Sequence, residues 1–153
     1  MTQELYQEVN GYLVDIFNQV LMIEEYSLKN SQFSDLSVKE VHTIEAIGLN
    51  DVKTSGQVAQ KLGVTPGTLS VAIGTIVKKG YVERVRTADD RRVVKLKLTP
   101  KGKLIYRLHH KFHMNMVSET LQGIDEEEAK VLVQGLRKLH QFLDGIKKDI
   151  RDV

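Results

Sequence analysis

Residues 54–98 read TSGQVAQKLGVTPGTLSVAIGTIVKKGYVERVRTADDRRVVKLKL. Thr54-Ser55-Gly56-Gln57 is a capping box, in which a threonine hydroxyl and a glutamine three residues on each satisfy a free backbone N–H. Val58, Ala59 and Leu62 give the short helix behind it an inward side, and Gly63-Val64 turn the chain. Thr65-Pro66 opens a second helix, because proline at the first helical position gives up an N–H that has no partner there anyway. Leu69, Ile73, Ile76 and Val77 form its apolar stripe, and Lys78-Lys79-Gly80 suits its end. Two short helices, 54–62 and 65–79, joined by two residues predict a helix-turn-helix, whose second helix enters the major groove of DNA. Away from the stripe this helix carries Gly67, Thr68, Ser70, Val71, Gly74 and Thr75, with Thr65 at its start and Lys78 at its end. Hydroxyls can bond base edges or phosphates, methyls can meet thymine methyls, and glycine lets the backbone come close. A plain buried helical hairpin has the same apolar spacing, so the residues that follow decide.

After Gly80 the period changes from helical to alternating. Tyr81, Val82 and Val85, then Val93, Leu96 and Leu98, predict two strands around the turn-forming residues 87–90. This two-stranded hairpin bears Arg84, Arg86, Arg91, Arg92, Lys95 and Lys97, with Tyr81, Val82 and Leu96 tucked beneath. A basic hairpin directly after a recognition helix is a wing, and its arginines suit an adjacent minor groove. The charge distribution agrees. Residues 78–103 hold ten Lys/Arg against three Asp/Glu, in a chain of net charge +2, while residues 1–50 hold two against eight. A short basic segment in a near-neutral chain is the footprint of a polyanion site; the bland alternative is a solvated charged face.

Outward from this segment the chain is helical. Val9, Leu13, Ile16, Phe17, Val20 and Ile23 recur at helical spacing over residues 6–27. Ser37-Val38-Lys39-Glu40 is another capping box, for a helix to Ile47. Thr99-Pro100 starts a helix to about Gln122, and Asp125, followed by Glu126, Glu127 and Glu128, starts the last one. The expected fold is mainly α with a small β wing. Residues 34–100 form the winged helix-turn-helix lobe, and residues 1–33 and 101–153 a helical dimerisation region. The apolar faces of the first and last helices, notably Ile16, Val20, Phe142 and Ile146, exceed what one chain needs, so a homodimer is expected.

An apolar share of 41% supports a packed core, and the absence of cysteine excludes disulfides and thiolate chemistry. The sequence shows no secretory leader and no apolar run of the roughly 18 residues a membrane span needs, so a cytoplasmic protein without a membrane partner is expected. No phosphate-binding glycine loop, nucleophile elbow or paired-carboxylate pattern appears, so catalysis is not expected.

Lys79-Gly80-Tyr81-Val82-Glu83-Arg84, then Asp90-Arg91-Arg92, then Leu98-Thr99-Pro100-Lys101-Gly102 resemble the signature of the MarR family of transcription regulators. The resemblance extends over the whole chain. It implies a dimer whose two winged lobes read a pseudo-palindromic operator in double-stranded DNA. It also implies that Asp90 braces the wing tip against an arginine and that Arg92 reaches DNA. A narrower similarity is carried by Ile23-Glu24-Glu25, Lys39-Glu40-Val41-His42-Thr43-Ile44, Glu83-Arg84-Val85-Arg86, Asp90-Arg91-Arg92-Val93-Val94, and Arg107-Leu108-His109 with Phe112-His113. It points to the members of the family that repress fatty-acid-synthesis genes, and implies long-chain acyl-acyl carrier protein as corepressor. An apolar effector tunnel would then involve Leu13, Phe17, Ile44, Leu108 and Phe112, residues that serve equally well as core. Arg107 and Lys111, four apart on one helix, are candidates for docking the acidic carrier protein.

His109 and His113 are also four apart, so both rings can face one point. With Glu24 and His42 they resemble the zinc sites of metal-responsive relatives, and a Glu/His/His/His set suits zinc. Ordinary hydrogen bonding within the dimer region is the competing role. The sequence is therefore compatible with three functions: an acyl-carrier-protein-dependent repressor that requires no cofactor, a zinc-responsive regulator, and a winged-helix interaction module that does not bind DNA.

Overall fold

The computed structural model describes residues 1–50, 52–86, 88–90 and 92–151. The elements run α1 (Gln3–Lys29), α2 (Val38–Ile47), β1 (Lys53–Thr54), α3 (Ser55–Leu62), α4 (Pro66–Lys78), β2 (Val82–Arg86), β3 (Val94–Leu98), α5 (Pro100–Leu121) and α6 (Glu126–Arg151). Local chemistry sets most of these boundaries. Ser37 with Glu40 and Thr54 with Gln57 form reciprocal capping boxes, and Thr65 and Thr99 each cap a helix that begins with proline. Asp125 and Glu128 exchange bonds in the same way at the start of α6.

The sheet has three strands in the order β1-β3-β2, all antiparallel. The hairpin expected from sequence is present as β2–β3 and gains a short third strand, because Lys53 and Thr54 pair with Leu96 and Lys95 and cover the other edge of β3. On one side of the sheet Val82, Leu96 and Leu98 close over Ile44, Ile47, Val58, Leu69, Ile73 and Ile76. This core holds α4 against the β2–β3 hairpin.

The junction from wing to α5 shows why the sequence there is constrained. Leu98 is buried, and the Thr99 hydroxyl donates to the Gly80 carbonyl at 2.7 Å while capping the Gly102 N–H. A Cβ on Gly102 would lie 2.1 Å from the Tyr81 carbonyl oxygen, inside any tolerated contact. Gly102 therefore lets α5 dock on the start of the wing. α1, α5 and α6 project from this lobe, and α6 touches it through Lys147, whose ammonium donates to the Lys61 carbonyl at 3.3 Å.

Candidate functional site

Helix α4 buries Leu69, Ile73 and Ile76 and presents Gly67, Thr68, Ser70, Val71, Thr75 and Lys78 to solvent. Its N-terminus is fixed by Thr65, which accepts from the Thr68 N–H at 3.2 Å and donates its own hydroxyl to Thr68 Oγ1 at 2.9 Å. At the other end, the Lys79 ammonium donates to both Glu40 oxygens, at 2.8 and 2.9 Å, and to the Asp35 carbonyl. The buried Tyr81 hydroxyl donates to Asp35 Oδ1 at 2.7 Å, and the Lys101 ammonium sits 4.2 Å above the Tyr81 ring. Burial and the Asp35 carboxylate both raise the Tyr81 phenol pKa above its ordinary value, so it stays a donor. These bonds clamp the end of α4 to residues 33–40, the entry to α2. Sequence reasoning missed the clamp, because its partners lie 39 to 46 residues apart.

The basic wing is divided by strand geometry. Alternate residues of a strand face opposite sides. Arg84 and Arg86 share the side of Val82, whereas Lys95 and Lys97 lie opposite, with Lys97 3.8 Å from Glu83. The four cations on the two strands therefore do not form one patch. Arg84 leans toward the recognition helix, where its guanidinium would lie 3.9 Å from a Cβ placed on Gly74. Arg92 is exposed next to the turn, and its backbone N–H donates to Asp90 Oδ1 at 2.9 Å. Asp90 thus braces the wing tip through a main-chain bond. Arg91 lies outside the described residues.

A second cluster lies where α1, α2 and α5 meet. Glu24, 7% exposed, is the one buried residue of α1. Its Oε1 is 2.7 Å from His109 Nε2 and 3.1 Å from His113 Nε2, and the two imidazole nitrogens are 3.1 Å apart. His42 Nε2 stands 3.6 Å from the other Glu24 oxygen. The far nitrogen of His109 is buried and faces Glu45 Oε2 at 3.5 Å, beyond hydrogen-bond geometry. Burial works against a charge on His109, but the Glu45 and Glu24 carboxylates outweigh it and raise its pKa above the ordinary 6.5. Glu45 moves the opposite way, lowered chiefly by His109 against its own partial burial.

Glu24 also separates two apolar hollows. One, about 420 Å³, is walled by Leu28, Phe33, Val38, Val41, Leu108 and Phe112, with Glu24 and His109 in its lining. The other is a wider groove along α1 that includes Leu13, Phe17, His42, His113 and Leu139. The five residues expected around one tunnel are therefore distributed over three places. Leu108 and Phe112 wall the first hollow, Leu13 and Phe17 line the groove, and Ile44 is fully buried in the core of the winged lobe. Arg107 and Lys111 are exposed on α5.

Residues 34–93 match the sequence profile of the MarR family. FabT of Streptococcus pneumoniae, solved in complex with DNA, is 50% identical and superposes with a TM-score of 0.84 over 92% of this chain and 99% of that one. The chain belongs to the MarR family. It is a DNA-binding transcription regulator of the winged helix-turn-helix kind and not an enzyme. Among curated relatives, the HTH-type transcriptional regulator PchR of Bacillus subtilis is 24% identical over 90% of both chains. The uncharacterized regulator YhjH of the same organism is 26% identical, and the match spans 62% of its length, somewhat under two thirds. The MepR–DNA complex of S. aureus, 23% identical with a TM-score of 0.68, shares the fold. Within this chain, α4 and the β2–β3 wing are the elements that sequence reasoning assigns to DNA. Membership in the MarR family removes the interaction module that does not bind DNA. No described helix is long and apolar enough to cross a membrane.

Proposed function

We propose that this regulator is a homodimeric repressor of fatty-acid-synthesis genes, and that long-chain acyl-acyl carrier protein is its corepressor. The observation that carries the reading is the hollow walled by Phe33, Val38, Leu108 and Phe112. It is apolar, as an acyl chain requires, and its wall belongs to the segment that clamps the recognition helix. Phe33 packs against Tyr81 with ring centroids 6.3 Å apart, and Asp35 and Glu40 of the same segment hold Tyr81 and Lys79. A chain filling the hollow would press on the residues that set the tilt of α4. The likeness to FabT supports the same choice. Arg107 and Lys111, exposed beside the hollow's α5 wall, are the proposed docking cations for the acidic carrier protein. On DNA, Thr65, Gly67, Thr68, Ser70, Val71, Thr75 and Lys78 are assigned to the major groove. Arg84, Arg86, Arg91 and Arg92 are assigned to the flanking minor groove or phosphates.

The test is an operator titration with and without acylated carrier protein. Tightening by about 5- to 150-fold, the usual span of effector coupling, is expected, with operator DNA raising carrier-protein affinity by the same factor. No change in either direction would refute the corepressor assignment.

A second reading, zinc control, is favoured by one geometric fact. The ligand atoms of Glu24, His109 and His113 are 2.7, 3.1 and 3.1 Å apart. The edge of a zinc tetrahedron with bonds near 2.05 Å is about 3.3 Å, so a small outward shift would seat the ion. His42 is the available fourth donor, and Glu45 faces the far nitrogen of His109 as an orienting carboxylate does in zinc sites. Elemental analysis of the purified protein and a parallel titration with zinc separate the readings. A large response to zinc with none to acylated carrier protein selects the second.

A further inference from the structure

Val71 has no structural occupation. Among the described residues of the winged lobe, the large apolar side chains left exposed are Val52, at 44%, and Val71, at 75%. All others exposed to such a degree lie on α1, α5 and α6, or at Met1. Val71 is not among the side chains of the apolar core or those packed against it, and valine is a poorer helix former than alanine because its χ1 is restricted against the preceding turn.

Its surroundings are equally specific. Thr68, Val71, Thr75 and Lys78 follow one another along the exposed side of α4. The Thr75 hydroxyl donates to the Val71 carbonyl at 3.3 Å, and the Thr68 hydroxyl is engaged by Thr65. The Thr75 hydroxyl proton is thus already used within the helix. Four residues before and three after it, on the same face, stand Gly67 and Gly74. A Cβ on Gly67 would meet nothing within 4 Å, and one on Gly74 only the Arg84 guanidinium at 3.9 Å. Neither glycine is demanded by the protein's own packing, and Gly74 in mid-helix weakens the helix relative to alanine. The result is a branched apolar knob between two notches, midway along the exposed side of α4.

The edges of base pairs in the major groove are polar except for the C5 methyl of thymine. We propose that Val71 seats a thymine methyl in each operator half-site and sets a thymine preference at that base pair, the glycines allowing the helix to approach closely enough. This rests on the assignment of α4 to the major groove proposed above.

The operator is first selected from a random duplex pool with the full-length dimer. Each selected thymine is then replaced by deoxyuridine, which removes the methyl and nothing else. One symmetric position is expected to lose about fourfold in affinity per half-site, or about fifteenfold for both, the worth of one buried methyl in each. V71A should fold with undiminished thermal stability, bind the thymine operator more weakly by a similar factor, and reduce the deoxyuridine effect at that position to under twofold. Selection repeated with V71A should relax that position alone. Gly74→Ala supplies an independent arm: it should raise the melting temperature while weakening operator binding. Equal weakening of thymine and deoxyuridine operators by V71A overturns the proposal, since Val71 would then rest on the sugar–phosphate backbone. Unchanged affinity and unchanged selection with V71A overturn it as well. If Ser70→Glu also leaves binding intact, the fault lies with the helix assignment rather than with Val71.

Discussion

Every buried apolar side chain among the described residues lies between Phe33 and Ile105. In that stretch three helices, a small sheet and the start of α5 close over one core, and Ile44, Ile47, Val58, Tyr81 and Leu96 lose nearly all contact with solvent. The terminal helices are built the opposite way. Over 27 residues, α1 buries Glu24 and no apolar side chain, and it leaves Val9, Ile16, Phe17 and Ile23 open. Along α6, Val131, Leu136, Phe142, Leu143 and Ile146 are more than a third exposed. One region is complete within a single chain; the other holds apolar surface that a second copy would cover. The packing of the lobe is settled within one chain, whereas that of α1 and α6 depends on what covers them, here the proposed second copy.

The largest expected effect comes from breaking the second region. A charge at Phe142, written Phe142→Glu, would be buried unpaired in the dimer, at a cost of several kcal/mol. It should lower operator affinity by roughly a hundredfold or more, because two half-sites no longer bind as one unit. Size-exclusion and DNA-binding measurements check this, and a dimeric variant with normal affinity would remove α6 from the interface.

Ile44→Ala attacks the first region instead. The cavity should cost about 2–5 kcal/mol in denaturant unfolding. As Ile44 packs in the lobe and lines neither hollow, the factor by which an effector alters DNA affinity should stay the same in variants that remain folded. A lost response in a folded variant would return Ile44 to the effector site.

The wing supplies a comparison within the lobe. Arg84→Ala should weaken operator binding about tenfold and flatten its salt dependence by about one phosphate contact. Lys97→Ala, on the opposite side and beside Glu83, should change it by less than about twofold. Equal losses would mean that DNA wraps both sides of the wing. Arg92→Ala should weaken binding to A·T-flanked operators more than to G·C-flanked ones, because a narrow groove strengthens the potential that an arginine meets.

The smallest effect is a pH dependence at the clamp. Burial opposes the charge on Glu40, but Lys79 and the Ser37 N–H prevail and hold its pKa below the ordinary carboxylate value of 4.5. A depressed acid contributes stability above its unfolded pKa and loses it as pH falls through the folded one. Glu40→Gln should therefore reduce stability near neutrality by about 1 kcal/mol, with the difference from the parent shrinking as pH falls below 4.5.

What sequence could reveal follows the range of each interaction. Caps at Ser37, Thr54, Thr65, Thr99 and Asp125 involve partners three residues away, so they were legible as written. The spacing of His109 and His113 was legible for the same reason, since one helical turn brings both rings to one point. β1 was not: Lys53 and Thr54 carry no apolar alternation, and their strand character comes from pairing with Leu96 and Lys95, far along the chain. The clamp of Lys79 on Glu40 and Asp35, and the facing of Glu45 to His109, also depend on contacts across the fold. The hollow beside Phe33 depends on how three helices diverge, which no periodicity encodes. Separation of the wing cations into two sides was recoverable from strand alternation once the register was known.

Sedimentation equilibrium of the full chain, from micromolar to nanomolar concentration and without DNA, tests the contrast between the two regions most directly. Closing the open apolar surface of α1 and α6 requires an obligate interface, typically above about 2,000 Å². The mass of a dimer is expected throughout the micromolar range, with any dissociation at lower concentration accompanied by loss of helical signal. A fully helical, stable monomer at micromolar concentration would contradict that contrast.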